Sequence, residues 1–262
     1  MGEVGRRVAV AAVAVPGILT LVAVGGVPFL ALVCGIVGVG VWELSGLVEV
    51  KGIRIWRPLC LICALSPVLG FYAGGEVGGM TGVAVGALLG LTGGLFWGIG
   101  GVMAGLTGMV YLGVLGGLAL VLRGRPEGGW TVGFVLASVW IMDTAAYFGG
   151  RGFGRHRLWK RVSPKKTLEG AITGFLGAVG VALGAWRLGL LPWDLGDSIA
   201  LGTAIGVGGQ VGDLIESAMK RDVGVKDSSG LIPGHGGVLD RFDSFLFATP
   251  MVYLYLKLRS LL

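Results

Sequence analysis

Apolar runs long enough to cross a membrane follow one another along nearly the whole chain, and they constrain the fold more than any other feature. A transmembrane helix needs about 20 mostly apolar residues, whereas soluble domains carry roughly 25% charged residues. Here only 14% of the 262 residues are charged and 54% are hydrophobic. We therefore predict an all-α, polytopic transmembrane bundle of about nine spans. The expected spans are 8–23, 27–48, 57–74, 80–97, 99–122, 130–149, 169–191, 198–219 and 242–258.

Glycine accounts for 53 residues, which bears on how such helices pack. In a membrane, small residues let helix backbones approach closely. A collagen-like chain is excluded because there is no Gly-X-Y period, and a disordered chain is excluded by the apolar content. We predict a bundle packed through glycine-rich faces. We divide it into N-terminal transmembrane helices (1–125) and C-terminal transmembrane helices that carry the polar loops (126–262).

The distribution of Lys and Arg predicts the orientation of the bundle. With nine spans and a cytoplasmic N-terminus, most of the 21 basic residues fall in cytoplasmic segments, as the positive-inside rule requires. Both long polar connections, 150–168 and 219–241, then face the cytoplasm, and we expect the protein in the cytoplasmic (inner) membrane of the cell. The N-terminus has the basic-then-apolar shape of a signal peptide, but no polar domain follows it, so we predict an uncleaved first span.

Carboxylates gather near the ends of three predicted spans. Ionisable residues within spans are costly and usually functional. The spacing of Asp213, Glu216 and Lys220 places these side chains, with Ser217, along one helical face. The alternative is that each carboxylate simply pairs with a nearby Lys or Arg. The predicted cluster consists of Asp143, Asp213, Glu216, Asp240 and Asp243.

The chemistry of this cluster favours a hard divalent cation. Carboxylate oxygens are the ligands that Mg²⁺ prefers, and the chain has only two histidines to offer instead. We predict Asp213 and Asp240 as the metal ligands, supported by Asp227 and Asp243. A second cation at the same place is left open.

Basic residues surround the predicted metal ligands in both polar connections. Guanidinium and ammonium groups suit phosphate oxygens, and the ones expected here are Lys220, Arg221, Lys226 and Arg241. In the other connection, Ser163-Pro164 predicts the start of a helix, with Lys165 and Lys166 directed at whatever lies beside its N-terminus. A basic loop that touches lipid headgroups is the alternative. The acidic cluster beside it favours a site for a metal and a polyphosphate.

The histidines and cysteines indicate a functional role less strongly than the carboxylates do. His235 lies among glycines that allow close backbone approach to a ligand, so we expect it to contact one, with a structural role as the alternative. His156 is expected to be a solvated loop residue. Cys60 and Cys63 form a CxxC pattern without a second ligand pair, which favours small buried helix residues over a redox or metal pair.

Residues 217–243, which we call the polar segment, resemble the signature of the phosphatidate cytidylyltransferases, also called CDP-diacylglycerol synthases. That signature runs Ser-x-x-Lys-Arg, four residues, Lys-Asp, a short spacer and His-Gly-Gly-x-x-Asp-Arg-x-Asp. The stretches DTAAYFGGRGFGRHRL, SPKKTLEG and GQVGDLIES are also similar to the family, so the resemblance covers about the C-terminal half. The signature positions are met by Ser217, Lys220, Arg221, Lys226, Asp227, His235, Gly236, Gly237, Asp240, Arg241 and Asp243.

The resemblance implies an integral membrane enzyme that joins CTP to phosphatidic acid, giving CDP-diacylglycerol and pyrophosphate in phospholipid biosynthesis. It also implies dependence on Mg²⁺ and a homodimer among membrane lipids, and nucleic acid is not an expected partner. Besides the signature residues, the positions expected to bind substrate are Asp143, Ser163, Lys165, Lys166, Thr167 and Glu169.

Three other functions stay open. A relative could cytidylylate the phosphate of an archaeal ether lipid, or use CTP to phosphorylate a polyprenol. A transporter would also carry intramembrane carboxylates in glycine-interrupted helices. Transporters, however, place their sites near the middle of the membrane and show two similar halves, whereas these charges gather near span ends and no internal repeat is visible.

Overall fold

The computed structural model describes the backbone of residues 3–232 and 236–260, and within these ranges all side chains except those of residues 3, 4 and 6–9. Nearly all of this is helix. A short antiparallel hairpin pairs β1 (Arg157–Trp159) with β2 (Ser163–Thr167). The helices are α1 (Glu3–Val24), α2 (Gly26–Val50), α3 (Arg57–Gly108) with a π-helical turn (Met109–Val114) leading into α4 (Leu115–Arg123), α5 (Gly128–Phe153), α6 (Leu168–Arg187), α7 (Leu195–Asp222) and α8 (Leu239–Arg259).

Five helical stretches of the described chain are long and apolar enough to cross a membrane. They confirm the predicted all-α membrane bundle, and the chain is an integral membrane protein. The number of spans, nine, stays a prediction, since α8 is not among these five and α1 offers only a shorter apolar stretch, Val10–Val24. The five are Gly26–Val50, Arg57–Arg123, Gly128–Phe153, Leu168–Arg187 and Leu195–Asp222.

The 67-residue stretch Arg57–Arg123 folds back on itself rather than running straight. A straight helix of this length would be about 100 Å long, about three times the thickness of a bilayer core. Helical geometry breaks at Gly74 and Gly75 and again at Gly98, and the latter two adopt φ values of 56° and 64° that favour glycine. A Cβ on Gly70 would collide with the carbonyl oxygen of Gly78, so the backbones touch on either side of the first break. The breaks lie where the sequence separates the third, fourth and fifth predicted spans.

The chain divides into two compact units. The first comprises the chain up to Gly129 together with Asp222–Phe242, and the second comprises Trp130–Arg221 and Asp243–Leu262. In the first unit, the Arg123 guanidinium donates to the carbonyl oxygens of Val22 (2.6 Å) and Ala23 (2.8 Å). These carbonyls would otherwise lack partners at the end of α1.

Glycine contacts also hold the second unit together. A Cβ on Gly170 of α6 would lie 2.8 Å from the Ala146 carbonyl oxygen of α5. A Cβ on Gly212 of α7 would lie 2.5 Å from the Asp243 carbonyl oxygen of α8. Real Cβ atoms need more room, so both helix pairs depend on glycine at these positions. The predicted glycine-rich packing is confirmed in each unit.

The predicted helix start at Ser163-Pro164 is wrong. Ser163 pairs with Trp159 in the β-hairpin, where a proline at the edge costs little. The helix begins instead at Leu168, because the Thr167 hydroxyl accepts a hydrogen bond from Gly170 N (3.1 Å) and caps α6. Lys165 and Lys166 therefore lie on a strand that leads into the helix, and not on its first turn.

Candidate functional site

Two carboxylates of the second unit act electrostatically on a third. Asp143 of α5 and Asp213 of α7 both interact electrostatically with Asp243, which is only 8% exposed on α8. The Lys166 ammonium from β2 contacts Asp213 directly and also acts on Asp243. Like charges repel when they are held close together. Lys166 therefore offsets part of the charge of this group, which we call the Asp–Lys cluster (Asp143, Asp213, Asp243 and Lys166).

Local packing explains why Asp243 is held in place. The absence of a side chain on Gly212 lets α7 lie against the Asp243 backbone. The next amide, Ser244 N, donates to Asp243 Oδ1 at 2.7 Å. On the neighbouring turn of α7, the Ser217 hydroxyl lies 3.4 Å from Asp213 Oδ1. The carboxylates are thus positioned by packed helix backbones rather than by flexible side chains alone.

The donors of the Asp–Lys cluster match a magnesium ion in chemistry. They are carboxylate oxygens, and their mutual repulsion would be relieved by a divalent cation. Within the described ranges, no group of three His, Cys, Asp or Glu side chains is close enough together to hold a metal ion. The predicted pair Asp213 and Asp240 stays a prediction, because Asp213 belongs to the second unit and Asp240 to the first.

A second charge pair occupies the same helix as Asp213. Glu216 is fully buried, and Lys220 reaches it from the next turn of α7. Removing either partner would leave an uncompensated buried charge, so the two side chains depend on each other. The predicted helical face of Asp213, Glu216, Ser217 and Lys220 is therefore real, with contacts at the i, i+4 spacing.

The connection between α5 and α6 is organised by Glu169. Its carboxylate accepts hydrogen bonds from the backbone amides of Arg155 (3.1 Å) and His156 (3.2 Å). The His156 side chain is exposed, as expected. It nevertheless has a partner, since His156 Nδ1 lies 2.6 Å from Glu169 Oε1. Thr167 is buried as the α6 cap, and Lys165 remains exposed. Glu169 and Thr167 thus shape the backbone that presents Lys165 and Lys166.

In the first unit, the described parts of the loop between α7 and α8 (residues 223–232 and 236–238) surround Asp240 with hydrogen-bond donors. Asp240 Oδ2 accepts hydrogen bonds from Ser228 N (3.0 Å), Ser228 Oγ (2.9 Å) and Gly237 N (2.7 Å). Gly236 has a φ of 79°, and a Cβ there would lie 2.7 Å from Asp240 Oδ2. Glycine at position 236 is therefore required for the loop to approach this carboxylate.

Glu43 of α2 was missed by the sequence analysis. It is 3% exposed and accepts hydrogen bonds from Ser228 Oγ (3.1 Å), Ser229 Oγ (2.5 Å), Val238 N (3.0 Å) and Leu239 N (2.7 Å). A signal existed, because a carboxylate in the apolar stretch VWELSGL is expensive without a partner. Its partners lie about two hundred residues away, so no local spacing reveals them.

The remaining signature residues lie on the surface of the described chain. Just before the loop, Asp222 pairs with Lys51 at 3.1 Å in the first unit. His235 lies outside the described residues. The exposed charged signature positions are Arg221, Lys226, Asp227 and Arg241.

Comparison with known proteins agrees with these observations. A family model described as the cytidylyltransferase family matches residues 5–259. The chain is 48% identical over 135 residues to a phosphatidate cytidylyltransferase of Synechocystis sp.. The aligned residues make up 51% of this chain and 45% of the relative. It is 39% identical over 152 residues to a phosphatidate cytidylyltransferase of Bacillus subtilis, covering 58% of this chain and 56% of the relative.

Another relative, from Staphylococcus epidermidis, bears the same name and is 40% identical over 146 residues, or 56% of this chain and 55% of the relative. The chain spans about half the length of the curated relatives it matches. The family model, in contrast, extends over both units and all the described helices after the first few residues. The chain belongs to the cytidylyltransferase family.

Proposed function

We propose that the protein is a membrane-embedded phosphatidate cytidylyltransferase, which converts CTP and phosphatidic acid into CDP-diacylglycerol and pyrophosphate. The observation that carries this proposal is the Asp–Lys cluster, formed by three helices and the β-hairpin of an integral membrane protein of the cytidylyltransferase family. A water-soluble nucleotide and a lipid phosphate meet only at the edge of a membrane. Lys166 reaches the cluster from the polar β-hairpin, which suits that meeting place.

The reaction needs positioning and charge neutralisation more than covalent help from the protein. An oxygen of the lipid phosphate attacks the α-phosphorus of CTP, a new P–O bond forms, and the bond to the β-phosphate breaks as pyrophosphate leaves. The nucleophile is already an anion, so no general base is required. The main contribution to the activation barrier is the repulsion between two polyanions that must align for in-line attack. Cations held in fixed positions lower this repulsion.

Lysines and arginines would hold the phosphates. Lys166 and Lys165 come from β2, and the exposed side chains Arg221, Lys226 and Arg241 come from the signature. Lys220 is already paired with Glu216 and would contribute charge from within the helix bundle.

Planar guanidinium groups bind phosphate oxygens in pairs, whereas ammonium groups act as point charges. Ser163 and Ser217 would add hydroxyl donors, and His235 would contact the ligand.

The carboxylates would hold Mg²⁺, and the candidate ligands are Asp213, Asp227, Asp240 and Asp243. When bound, the ion would neutralise phosphate charge and orient oxygens for displacement. Asp240 Oδ2 accepts three hydrogen bonds from Ser228 and Gly237, which would hold this carboxylate in place for a ligand role. Asp143 lies on the exposed side of the Asp–Lys cluster and would adjust its charge.

The proposed orientation places the polar segment and the β-hairpin in the cytoplasm, with the N-terminus on the same side of the inner membrane. The excess of Lys and Arg in these segments supports it. The family resemblance further suggests a homodimer.

A turnover assay tests the proposed function. Purified protein receives labelled CTP and phosphatidic acid with and without Mg²⁺, and an ether-lipid phosphate and a polyprenol are run in parallel. Formation of CDP-diacylglycerol and pyrophosphate that depends on Mg²⁺ is expected. A folded protein that yields no product with any lipid phosphate would refute the proposal, and product from the polyprenol alone would replace it with a kinase.

A further inference from the structure

Glu43 has no part in the chemistry proposed above, yet its carboxylate lies within hydrogen-bond distance of four donors of the polar segment. We infer that Glu43 is a positioning residue, which ties the α7–α8 loop to α2 and orients Asp240 through Ser228. Its effect on catalysis rests on the proposed function. Its effect on the shape of the loop does not.

The first argument comes from the cost of burying a carboxylate. A charged group in an apolar helix is tolerated only when it is fully hydrogen-bonded. Both Glu43 oxygens have partners: Oε1 accepts from Ser229 Oγ and Val238 N, and Oε2 accepts from Ser228 Oγ and Leu239 N. All four donors belong to one stretch of chain, 228–239. If that stretch moved away, the buried carboxylate would lose these partners together.

The second argument concerns the start of α8. The first amides of a helix have no partner within the helix and need a cap. A nearby Ser, Thr, Asn or Asp usually supplies it, but here Val238 N and Leu239 N donate to Glu43, which lies on a different helix. The negative charge of Glu43 also suits the positive end of the helix dipole. Because Asp240 is the second residue of α8, the same cap fixes its backbone.

The third argument is a direct connection to Asp240. The Ser228 hydroxyl lies 3.1 Å from Glu43 Oε2 and 2.9 Å from Asp240 Oδ2. A serine hydroxyl carries one proton, so it cannot donate fully to both carboxylates. Ser228 N also donates to Asp240, which makes this residue the link between the two acids. Residues that contact a metal ligand in this way commonly set its orientation.

The fourth argument comes from Gly237. A Cβ on this residue would collide with Ser228 Oγ and Glu43 Oε1. The signature glycine therefore leaves room for the Glu43 carboxylate itself. An N-terminal helix and the C-terminal signature thus form one hydrogen-bonded unit around Asp240.

Two substitutions on the same helix form the test. Glu43→Gln keeps the size of the side chain but turns one acceptor oxygen into a donor that faces other donors. We expect kcat to fall about 10- to 100-fold, with a smaller change in KM for phosphatidic acid. Glu49→Gln is the matched control, since Glu49 also lies on α2 but pairs with Arg57 at an exposed position. Its kcat is expected to stay within about twofold, as is usual for an exposed pair.

Hydrogen–deuterium exchange supplies a readout that does not need the reaction. In the Glu43→Gln variant, the amides of residues 223–240 are expected to exchange about tenfold faster, while those of α5 and α6 keep their rates. An unchanged loop in this variant overturns the inference. A faster loop in a protein that transfers no cytidylyl group would sustain the inference and refute the proposed function.

A second variant covers the case in which Glu43→Gln unfolds the protein. Ser229→Ala removes one donor to Glu43 Oε1, together with the acceptor of the Leu231 amide, and leaves the carboxylate in place. The readout is therefore the Val238 amide, which donates to the same Glu43 oxygen. Faster exchange confined to the loop supports the inference. Unchanged exchange in the loop contradicts it.

Discussion

The two acidic regions of this protein are held in different ways. In the first unit, Asp240 and Glu43 are surrounded by amide and hydroxyl donors of a single loop. In the second unit, Asp213 and Asp243 lie close to each other, and Lys166 compensates their charge. In the first region, hydrogen bonds from the backbone fix the position of each carboxylate. In the second region, the net charge of the carboxylates and the lysine changes when a cation or a phosphate binds. We interpret the first region, which we call the rigid region, as holding its side chains in fixed positions. We interpret the second, which we call the exchangeable region, as the place where bound cations and phosphates are exchanged.

The largest effect is expected from the rigid region. Asp240→Asn removes the negative charge and places an amide donor near Ser228 and Gly237, which already donate to this position. Turnover should be abolished while the helical bundle stays folded, as measured by the CTP assay and by circular dichroism. Near-normal activity in this variant would mean that Asp240 is not a metal ligand.

A smaller but still strong effect is expected from the exchangeable region. Lys166→Met removes the ammonium beside Asp213 and leaves the carboxylates to repel one another. We expect kcat to fall about 10- to 100-fold, because an ammonium that would hold phosphate is lost. The required Mg²⁺ concentration should fall, because the more negative cluster attracts a cation more strongly. Lys165→Met is the matched control on the same strand, and because Lys165 is exposed its effect should be smaller. Equal losses in the two variants would contradict a special role for the Asp–Lys cluster.

The loop glycines test how rigid the first region is. In Gly237→Ala, the new methyl group would collide with Ser228 and Glu43, so we expect a destabilisation of about 1–3 kcal/mol. Gly230→Ala is the control, because nothing lies within 4 Å of a Cβ at that position of the same loop. Thermal unfolding of the purified variants measures the difference. Equal stabilities would show that the loop adapts, and the contrast between the regions would then fail.

The smallest effect is expected at the edge of the first unit. Lys51 and Asp222 form an exposed ion pair at 3.1 Å, and such pairs contribute about 0–1 kcal/mol. Lys51→Gln should therefore leave turnover and unfolding temperature almost unchanged. A large loss of activity would extend the functional region to the end of α2.

Most of the fold follows from the sequence because apolar length and glycine content are sufficient to predict membrane helices. The breaks in α3 at Gly75 and Gly98 were predictable, since three short apolar runs cannot form one straight span. The helix start at Ser163 was predicted wrongly, because Ser-Pro is compatible with a first turn and with a strand edge alike. Only the pairing with Trp159 decides between them.

Contacts among the candidate residues were predictable where the residues share a helix. Asp213, Glu216 and Lys220 were found from their spacing, and their contacts agree with it. Glu43 was not found, since a single carboxylate has no spacing and its partners come from the other end of the chain. Such a residue is visible from sequence only as a buried charge that still needs an explanation.

The position of a label in the product tests the central claim most directly. Purified protein is given phosphatidic acid, Mg²⁺ and CTP labelled either at the α-phosphate or at the γ-phosphate. Cytidylyl transfer predicts that the α-label enters the lipid and the γ-label appears in pyrophosphate. A γ-label in the lipid, or no labelled lipid from folded protein, would contradict the account.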